Sequence, residues 1–369
     1  MKVAFYAPIK PPDHPIATGD RLIARLLIRA LEMAGHEVTL ASHHIAYAKR
    51  PERLEERKAQ AIAAANAAIE SLRSNPPDIA FTYHPYCKAP DWIGPRIADA
   101  FAIPYVTVEA ARASVTGAEW EPWRREARGN IARADLHVWL KPTDRAMLLK
   151  LLGPDAPLAP LAPFIDIDAV DTVEGTAPRP DARHVVVVGQ MRPGKKARNH
   201  RIATQALDGI DTAVTVLGDG PERDSLAPLY PPQAVIRGAV PWEEVVRTLR
   251  SADVLLWPGW REPIGMVYLE AAACGVPAVA TADMGVPLVV EDGASGLLVP
   301  PISGEDDAGG IEALRRALAM LLRDTARRER LGLGAREKAV SNHSLPAASR
   351  TLDAALRTAL ASLGATRRG

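Results

Sequence analysis

Short apolar runs alternate with longer amphipathic stretches from one end of the chain to the other. Several runs, among them residues 79–84 and 254–257, are almost continuously apolar, which is typical of strands buried on both faces of a parallel sheet. The stretches between them, such as residues 21–34, 50–74 and 242–252, have helical character. The pattern predicts strands at residues 3–7, 38–42, 79–84, 105–109, 136–140, 184–189, 213–217, 235–237, 254–257, 276–280 and 296–299.

Two successive series of strand–helix alternation predict two doubly wound α/β domains, each Rossmann-like. A length of 369 residues suits this count, since each half is large enough for its own core. The division is expected in the Pro- and Ala-rich stretch 158–183, where prolines should interrupt any regular element. We therefore place a first domain at residues 1–165, a second at 166–344, and a final amphipathic helix at about 345–369.

Composition excludes some classes of partner. The formal net charge is +1, so no bulk field favours nucleic acid. The two cysteines, Cys87 and Cys274, lack metal-site spacing and fit a reducing compartment. No signal peptide and no apolar run of about 20 residues is present, and the basic residues of 49–73 are interleaved with glutamates. We expect a cytoplasmic protein, with peripheral membrane contact unsupported by this pattern.

The most informative segment places Glu262 and Glu270 on either side of seven residues that include a Pro–Gly turn. The turn opens into a short apolar helix that Gly275 and Pro277 should end. A helix N-terminus offers unpaired N–H groups and a positive dipole end, which suits a phosphate or diphosphate. Glu262 would then lie beside a sugar attached to that phosphate, and Glu270 could accept hydrogen bonds from ribose. The alternative is a capping acid and a solvated helix residue.

A cationic turn follows the predicted strand 184–189. It contains Arg192, Lys195 and Lys196, and it lies where open α/β sheets bind ligands, after the carboxyl end of a strand. Such a turn could grip a diphosphate and stabilise its departure. The alternative is a solvated basic loop.

The segment from Glu262 to Pro277, with its Glu-Ala-x-Ala-Cys-Gly-x-Pro tail, resembles the Glu-x7-Glu signature of the retaining glycosyltransferases of family 4. That resemblance implies a GT-B fold, with two Rossmann-like domains facing a central cleft and a last helix that packs back on the first domain. It implies a UDP- or GDP-sugar donor bound mainly by the second domain, with no cofactor and no metal.

The resemblance also assigns roles on the donor side. Arg192, Lys196 and Glu262 would be catalytic, with Arg192 standing in for the family's arginine at Gln190 and with either Lys195 or Lys196 as the diphosphate lysine. The remaining donor-binding candidates are Gly19, Val240, Ile264, Gly265, Met266 and Glu270. Trp260 would shape the donor-sugar pocket or anchor the core.

The acceptor side is less regular. His84 and Lys88 form, with neighbouring tyrosines, a polar group at the end of a predicted strand. Many family members have a histidine after the strand 105–109, where this chain has Glu109, followed by Arg112. These four residues are the acceptor-side candidates, for a saccharide, a lipid-linked or a small-molecule acceptor.

Two further alternatives concern metal and reaction class. Asp166-Ile-Asp168 has the form of a metal-binding motif but lies in the expected linker, and we expect no metal there. A GT-B sugar-nucleotide epimerase, or a sugar-nucleotide-binding protein without catalysis, would use the same donor-binding residues.

Overall fold

The computed structural model describes residues 1–16, 18–110, 117–175 and 183–366, the last four of these by backbone alone. The chain divides into two compact units. Unit 1 comprises Met1–Ala162 and the segment that begins at Leu345, and unit 2 comprises Pro163–Ser344. The division lies close to the expected boundary after residue 165. Among the described residues, no helix combines the length and apolarity needed to cross a membrane.

Unit 1 is built on a six-stranded parallel sheet. Its strands, in chain order, are β1 (Lys2–Tyr6), β2 (Glu37–Leu40), β3 (Ile79–Tyr83), β4 (Tyr105–Val108), β5 (Leu136–Trp139) and β6 (Leu158–Pro160). Its helices are α1 (Gly19–Met33), α2 (Leu54–Leu72), α3 (Gly94–Phe101), α4 (Glu121–Ala132), α5 (Pro142–Leu152) and the last helix of the chain, α14 (Leu345–Thr366). The spatial order is β2-β1-β3-β4-β5-β6, so the direction of winding reverses between β1 and β3.

In helix α1 of unit 1, the sequence accounts directly for the cap and for the buried face. Thr18 caps it by accepting a hydrogen bond from the amide of Arg21. Ala24, Leu27 and Leu31 recur at helical spacing and are fully buried, so they form the core face of the helix. Helix α14 packs against α1, and this helix therefore belongs to unit 1.

The expected linker contains more regular structure than its prolines indicated, so that prediction was wrong in part. Strand β6 pairs with β5, with Pro160 opposite Trp139. Because β6 is the outermost strand, the missing N–H of Pro160 costs no hydrogen bond inside the sheet. A short helix, α6 (Ile167–Asp171), follows and is capped by Asp166.

Unit 2 has the second six-stranded parallel sheet. Its strands are β7 (His184–Val188), β8 (Ala213–Leu217), β9 (Val235–Gly238), β10 (Val254–Leu256), β11 (Ala278–Thr281) and β12 (Gly296–Val299). Its helices after α6 are α7 (Lys195–Leu207), α8 (Arg223–Leu226), α9 (Trp242–Arg250), α10 (Met266–Ala273), α11 (Val286–Val289), α12 (Ala308–Arg323) and α13 (Thr325–Asn342). The order β12-β11-β10-β7-β8-β9 reverses between β7 and β10.

The end of α10 explains why β11 starts later than the sequence pattern indicated. Gly275 has φ of +73°, a left-handed conformation that favours glycine. The amide of Gly275 donates to the carbonyl of Ala272, and the amide of Val276 donates to the carbonyl of Ala271. Val276 thus belongs to the helix ending, and the strand begins at Ala278.

Candidate functional site

The loops after β7 and β10 meet at the point where the winding of unit 2 reverses. In open α/β sheets a crevice for ligand forms at this point, outside the carboxyl ends of the strands. Lys196, in the first turn of α7, donates to Glu262 Oε2 with Nζ at 2.6 Å. Glu262 is nearly buried, and its side chain is 10% exposed, against 37% for Lys196. The structure thus pairs Lys196, rather than Lys195, with the first carboxylate of the motif.

The buried side chain of Trp257 contacts both members of this ion pair. Its indole Nε1 donates to Glu262 Oε2 at 3.2 Å, and Lys196 Nζ lies 5.3 Å from its ring centroid. The indole is fully buried and packs so closely on Gly189 that a Cβ there would overlap the ring. The loops after β7 and β10 therefore both pack against the same buried aromatic side chain.

Two uncapped helix N-termini lie at these same loops. Gly194 precedes α7 and Gly265 precedes α10, and neither can supply a capping side chain. Among the described residues, the amides of Gly265 and Met266 have no hydrogen-bond partner. Lys195 and Lys196 lie in the first turn of α7, where the helix dipole disfavours a cation that has no anionic partner. The arrangement is suited to a phosphate or diphosphate.

The other cations of this turn differ in whether they contact a carboxylate or an aromatic ring. Arg192 and Lys195 are exposed, and neither forms an ion pair within the part of the chain that the structure describes. Arg198 lies 4.8 Å from the Trp260 ring centroid and 3.5 Å from Glu305 Oε1. Among the described residues of this turn, Arg192 and Lys195 are therefore the cations that have no anionic partner.

Glu270 lies on the second turn of α10 and is partly buried. Its Oε1 accepts from Trp242 Nε1 at 3.1 Å. Burial raises the pKa of Glu270, and the Trp242 hydrogen bond opposes that rise. Ribose hydroxyls would be further donors to this carboxylate. Val240, half-buried, lies two residues before Trp242, in the loop between β9 and α9.

Two glycines, Gly218 and Gly285, allow backbone segments beside the site to pack closely. Gly218 has φ of +146°, and a Cβ there would overlap the carbonyl of Gly189. A Cβ added at Gly285 would likewise overlap the carbonyl of Pro263. The amide of Gly285 donates to the carbonyl of Glu262 at 3.1 Å. Gly218 therefore allows close backbone packing at its turn, and Gly285 does the same for the Glu262 loop.

Strained backbone concentrates at the candidate sites. The described non-glycine residues with positive φ are His84 (58°), Ala102 (53°), Glu109 (54°), Arg261 (52°) and Met284 (44°). Ala102 ends a helix, where this conformation is ordinary. Arg261 and Met284 flank the Glu262 loop, and His84 and Glu109 end strands of unit 1. Such strain persists where surrounding packing enforces it, commonly at functional sites.

Unit 1 has a polar group at its own reversal point. His84 follows β3, and its Nδ1 lies 3.1 Å from Oδ1 of Asp20, in the first turn of α1. Burial lowers the pKa of His84, but Glu109 and Asp20 together outweigh it, so the pKa lies above the ordinary value. The His84 hydrogen bond lowers the pKa of Asp20.

A buried charged cluster lies beside this dyad. Glu109, after β4, pairs with Lys141, which follows β5, and Lys141 Nζ lies 3.4 Å from Asp144 Oδ2. Burial raises the pKa of Asp144 to about 6; Lys141 opposes the rise and Glu109 adds to it. Burial lowers the pKa of Lys141, but Glu109 and Asp144 outweigh it and raise the pKa overall.

The remaining predicted residues are scattered. Lys88 Nζ lies 4.7 Å from the Trp120 ring centroid. Arg112 lies outside the described residues. Gly19 opens α1, and a Cβ there would meet open space. Trp260 is 6% exposed and belongs to the core of unit 2, and Ile264 is 8% exposed.

Several supporting residues were not predicted. The Asn199 side chain holds the Trp260 backbone: its Nδ2 donates to the Trp260 carbonyl, and its Oδ1 accepts from the Trp260 amide. His200 Nε2 lies 3.1 Å from the carbonyl of Gly189, and its Nδ1 lies 2.7 Å from the Tyr230 hydroxyl. Burial lowers the pKa of His200 to about 4, so it is neutral and donates to Gly189. Lys141 directly follows a predicted strand, and the carboxyl-end rule applied to that strand would have found it.

Comparisons with known proteins relate part of this chain to glycosyl transferases. Residues 182–324 match the family model described as glycosyl transferases group 1. The chain is 29% identical, over 57% of its length and 58% of the relative, to a GDP-mannose-dependent alpha-(1-6)-phosphatidylinositol monomannoside mannosyltransferase of Mycolicibacterium smegmatis. It is 33% identical, over 47% of its length and 36% of the relative, to a D-inositol 3-phosphate glycosyltransferase of Mycobacterium sp. strain KMS. The alignments thus span less than two thirds of these relatives.

Solved structures show the fold. A sucrose-phosphate synthase from Thermosynechococcus elongatus has a TM-score of 0.71 at 18% identity, covering 98% of this chain and 99% of that one. Anabaena Alr3699/HepE in complex with UDP and glucose has a TM-score of 0.66 at 15% identity, covering 96% and 99%. Together with the two parallel sheets, these likenesses show the two-domain α/β GT-B fold that the sequence predicted.

Proposed function

We propose that this protein is a retaining glycosyltransferase of family 4 that moves a sugar from a UDP- or GDP-sugar to a hydroxyl group of an acceptor, without a cofactor or a divalent metal. The observation that carries the proposal is the pairing of Lys196 with Glu262 between two uncapped helix N-termini, at the reversal point of unit 2. The group 1 family match covers this region.

The diphosphate is assigned to the cations and helix ends. Arg192, Lys195 and Lys196 neutralise its charge, and the amides of Gly265 and Met266 donate to its oxygens. As the bond from the anomeric carbon to phosphate breaks, negative charge grows on the departing oxygen. Fixed cations and N–H groups stabilise that charge more in the transition state than in the bound donor. This arrangement performs the task for which other transferases use a metal.

The carboxylates are assigned to hydroxyl groups. Glu262 orients the donor sugar through its hydroxyls, and Glu270 holds the ribose, with Val240 close to the base. Bond cleavage passes through an oxocarbenium-like state, as in other glycosyl chemistry. Attack on the face from which the phosphate departs would retain the anomeric configuration. The names of the relatives and neighbours include both GDP-mannose and UDP, so both nucleotides are donors to test.

Replacing Glu270 with alanine is expected to weaken nucleotide binding by about 1.5–3 kcal/mol, the usual contribution of hydrogen bonds to a charged group. The loss should be equal for the nucleoside diphosphate and the nucleotide sugar, because the ribose is common to both. Isothermal titration of the folded variant measures it. Glu243→Ala is the matched control, since Glu243 is an exposed carboxylate beside Trp242. Unchanged affinity in Glu270→Ala would remove the ribose assignment.

A further inference from the structure

Unit 1 contains a partly enclosed cavity of about 160 Å³ between helices α4 and α5. Helix α4 lines it with four side chains, those of Arg124, Ala127, Arg128 and Ile131. Their spacing of three and four residues places all four on one face of the helix. This face of α4 therefore carries both apolar and cationic groups toward the same space.

The apolar part of the cavity continues onto α5 and onto the loop after β3. Met147 and Leu151 line it from α5, four residues apart, and the buried side chain of Cys87 lines it from the loop. Ala127 and Ile131 on the opposite helix are buried as well. Protein interiors contain few voids larger than a water molecule. An apolar cavity of about 150 Å³ can hold a molecule of benzene, so this one has room for a single small apolar group.

Cations surround the opening of the cavity. Lys150 is exposed, and 40% of the Arg128 side chain is exposed, so these two residues mark the side that faces solvent. Lys150 has no ion pair within the part of the chain that the structure describes. The described residues that line the cavity include three cations, with Arg124 as the third, and no carboxylate. Positive charge therefore exceeds negative charge at the opening.

Glu121 lies beside the cavity and holds two of these cations in place. Arg124 Nε donates to Glu121 Oε2 at 2.7 Å, and Arg128 pairs with Oε1 of the same carboxylate. The hydrogen bonds from Arg128 and Arg124 lower the pKa of Glu121 to about 2, so it stays ionised. One carboxylate thus serves two guanidinium groups, and an anionic ligand would add a second negative charge to a group of three cations.

We propose that this cavity is a second binding site of the protein and that it takes a small amphipathic anion. The apolar group of the ligand, about the size of a benzene ring, lies between α4 and α5 against Ala127, Ile131 and Leu151. Its carboxylate lies at the opening, where Lys150 and Arg128 donate charge-assisted hydrogen bonds. A sugar fits less well, because its hydroxyl groups would lose their hydrogen bonds to water against these apolar side chains. The site lies entirely within unit 1, and it does not depend on the proposed function.

The test is isothermal titration of the full chain with three probes. Phenylacetate carries both the ring and the carboxylate, 2-phenylethanol carries the ring without the charge, and acetate carries the charge without the ring. We expect one phenylacetate to bind per chain with a Kd of about 1 mM or below. Binding of 2-phenylethanol should be about 10-fold weaker, because it lacks the charge-assisted hydrogen bonds. Acetate should not bind measurably at the same concentrations.

Two variants locate the bound probe, each with a matched control. Ala127→Leu fills the cavity, so it should abolish phenylacetate binding while the melting temperature stays the same or rises. Ala146→Leu makes the same change at an exposed position of α5 and should bind normally. Lys150→Met removes the charge and keeps the length of the side chain, so phenylacetate should bind about 10-fold more weakly and 2-phenylethanol as before. Arg125→Met, an exposed charge of α4 that does not line the cavity, should leave both affinities unchanged.

Three outcomes would overturn the inference. Equal affinity for acetate and phenylacetate would show that the cationic surface alone attracts the probes. Unchanged phenylacetate affinity in Lys150→Met, or in a folded Ala127→Leu, would place the probe elsewhere on the molecule. No binding of phenylacetate up to about 10 mM would show that the cavity is only a packing defect. Since Lys150 is exposed, its variant should fold even if Ala127→Leu does not, and it then decides the question.

Discussion

Replacing Lys196 with methionine is expected to reduce turnover of the nucleotide sugar by about 100-fold. Lys196 is placed to neutralise the departing diphosphate, and removal of one stabiliser of this kind costs about 3 kcal/mol in the transition state. Methionine keeps the length and apolar body of the side chain over Trp257. Steady-state release of nucleoside diphosphate measures the effect, with nucleoside affinity expected to change little.

Lys195→Met is the matched control for this prediction. Lys195 is the neighbouring residue in the same helical turn, but it is exposed and pairs with no carboxylate among the described residues. Its loss removes the same formal charge from the loop but leaves the pairing of Lys196 with Glu262 intact, so a smaller loss of turnover is expected. Equal losses in the two variants would show that only the general charge of the loop matters. Full activity in Lys196→Met would remove Lys196 from the mechanism.

Replacing Gly285 with alanine is expected to destabilise the protein by about 3 kcal/mol and to abolish donor binding at moderate concentrations. The added Cβ would overlap the carbonyl of Pro263, which is backbone and cannot move aside without shifting the Glu262 loop. Overpacking of this kind in a closely packed region costs about 1–3 kcal/mol or more. Denaturant unfolding and nucleotide titration measure the two effects.

Gly129→Ala supplies the control for that variant. Gly129 lies in α4, is exposed, and has open space where a Cβ would be. Alanine in a helix is about 1 kcal/mol more favourable than glycine, so this variant should be as stable as the wild type or slightly more so. A Gly285→Ala protein with normal stability and nucleotide affinity would contradict the tight packing of the Glu262 loop.

The sequence predicted the fold well because most inner strands, such as β3, β4 and β11, are fully buried and appear as continuous apolar runs. Strand β6 was missed because it is three residues long and ends in Pro160, which an edge strand tolerates. Strand β11 was predicted two residues too early because Val276 looks like a strand residue but ends a helix. In both cases the decisive interaction is a hydrogen-bond pattern that residue type alone does not reveal.

Candidate-site residues that directly follow predicted strands could be located from the sequence. Contacts that depend on the order of strands in the folded sheet could not. Glu262 and the lysine pair follow directly from the rule that ligands lie beyond the carboxyl ends of strands. The choice of Lys196 over Lys195 was not predictable, since adjacent helical residues point about 100° apart and the start of α7 was unknown. The Asp20–His84 contact requires β1 and β3 to be neighbours, which is a property of the folded sheet.

The most direct test of the central claim is isothermal titration of the wild-type protein with UDP, GDP and ADP, in buffer containing EDTA. The cations at α7 and the open helix end at α10 should bind one of these nucleoside diphosphates at one site per chain without a divalent metal. The corresponding nucleoside, which lacks phosphate, should bind far more weakly. Absence of binding by all three diphosphates at millimolar concentration, or binding that appears only after a divalent metal is added, would contradict the account.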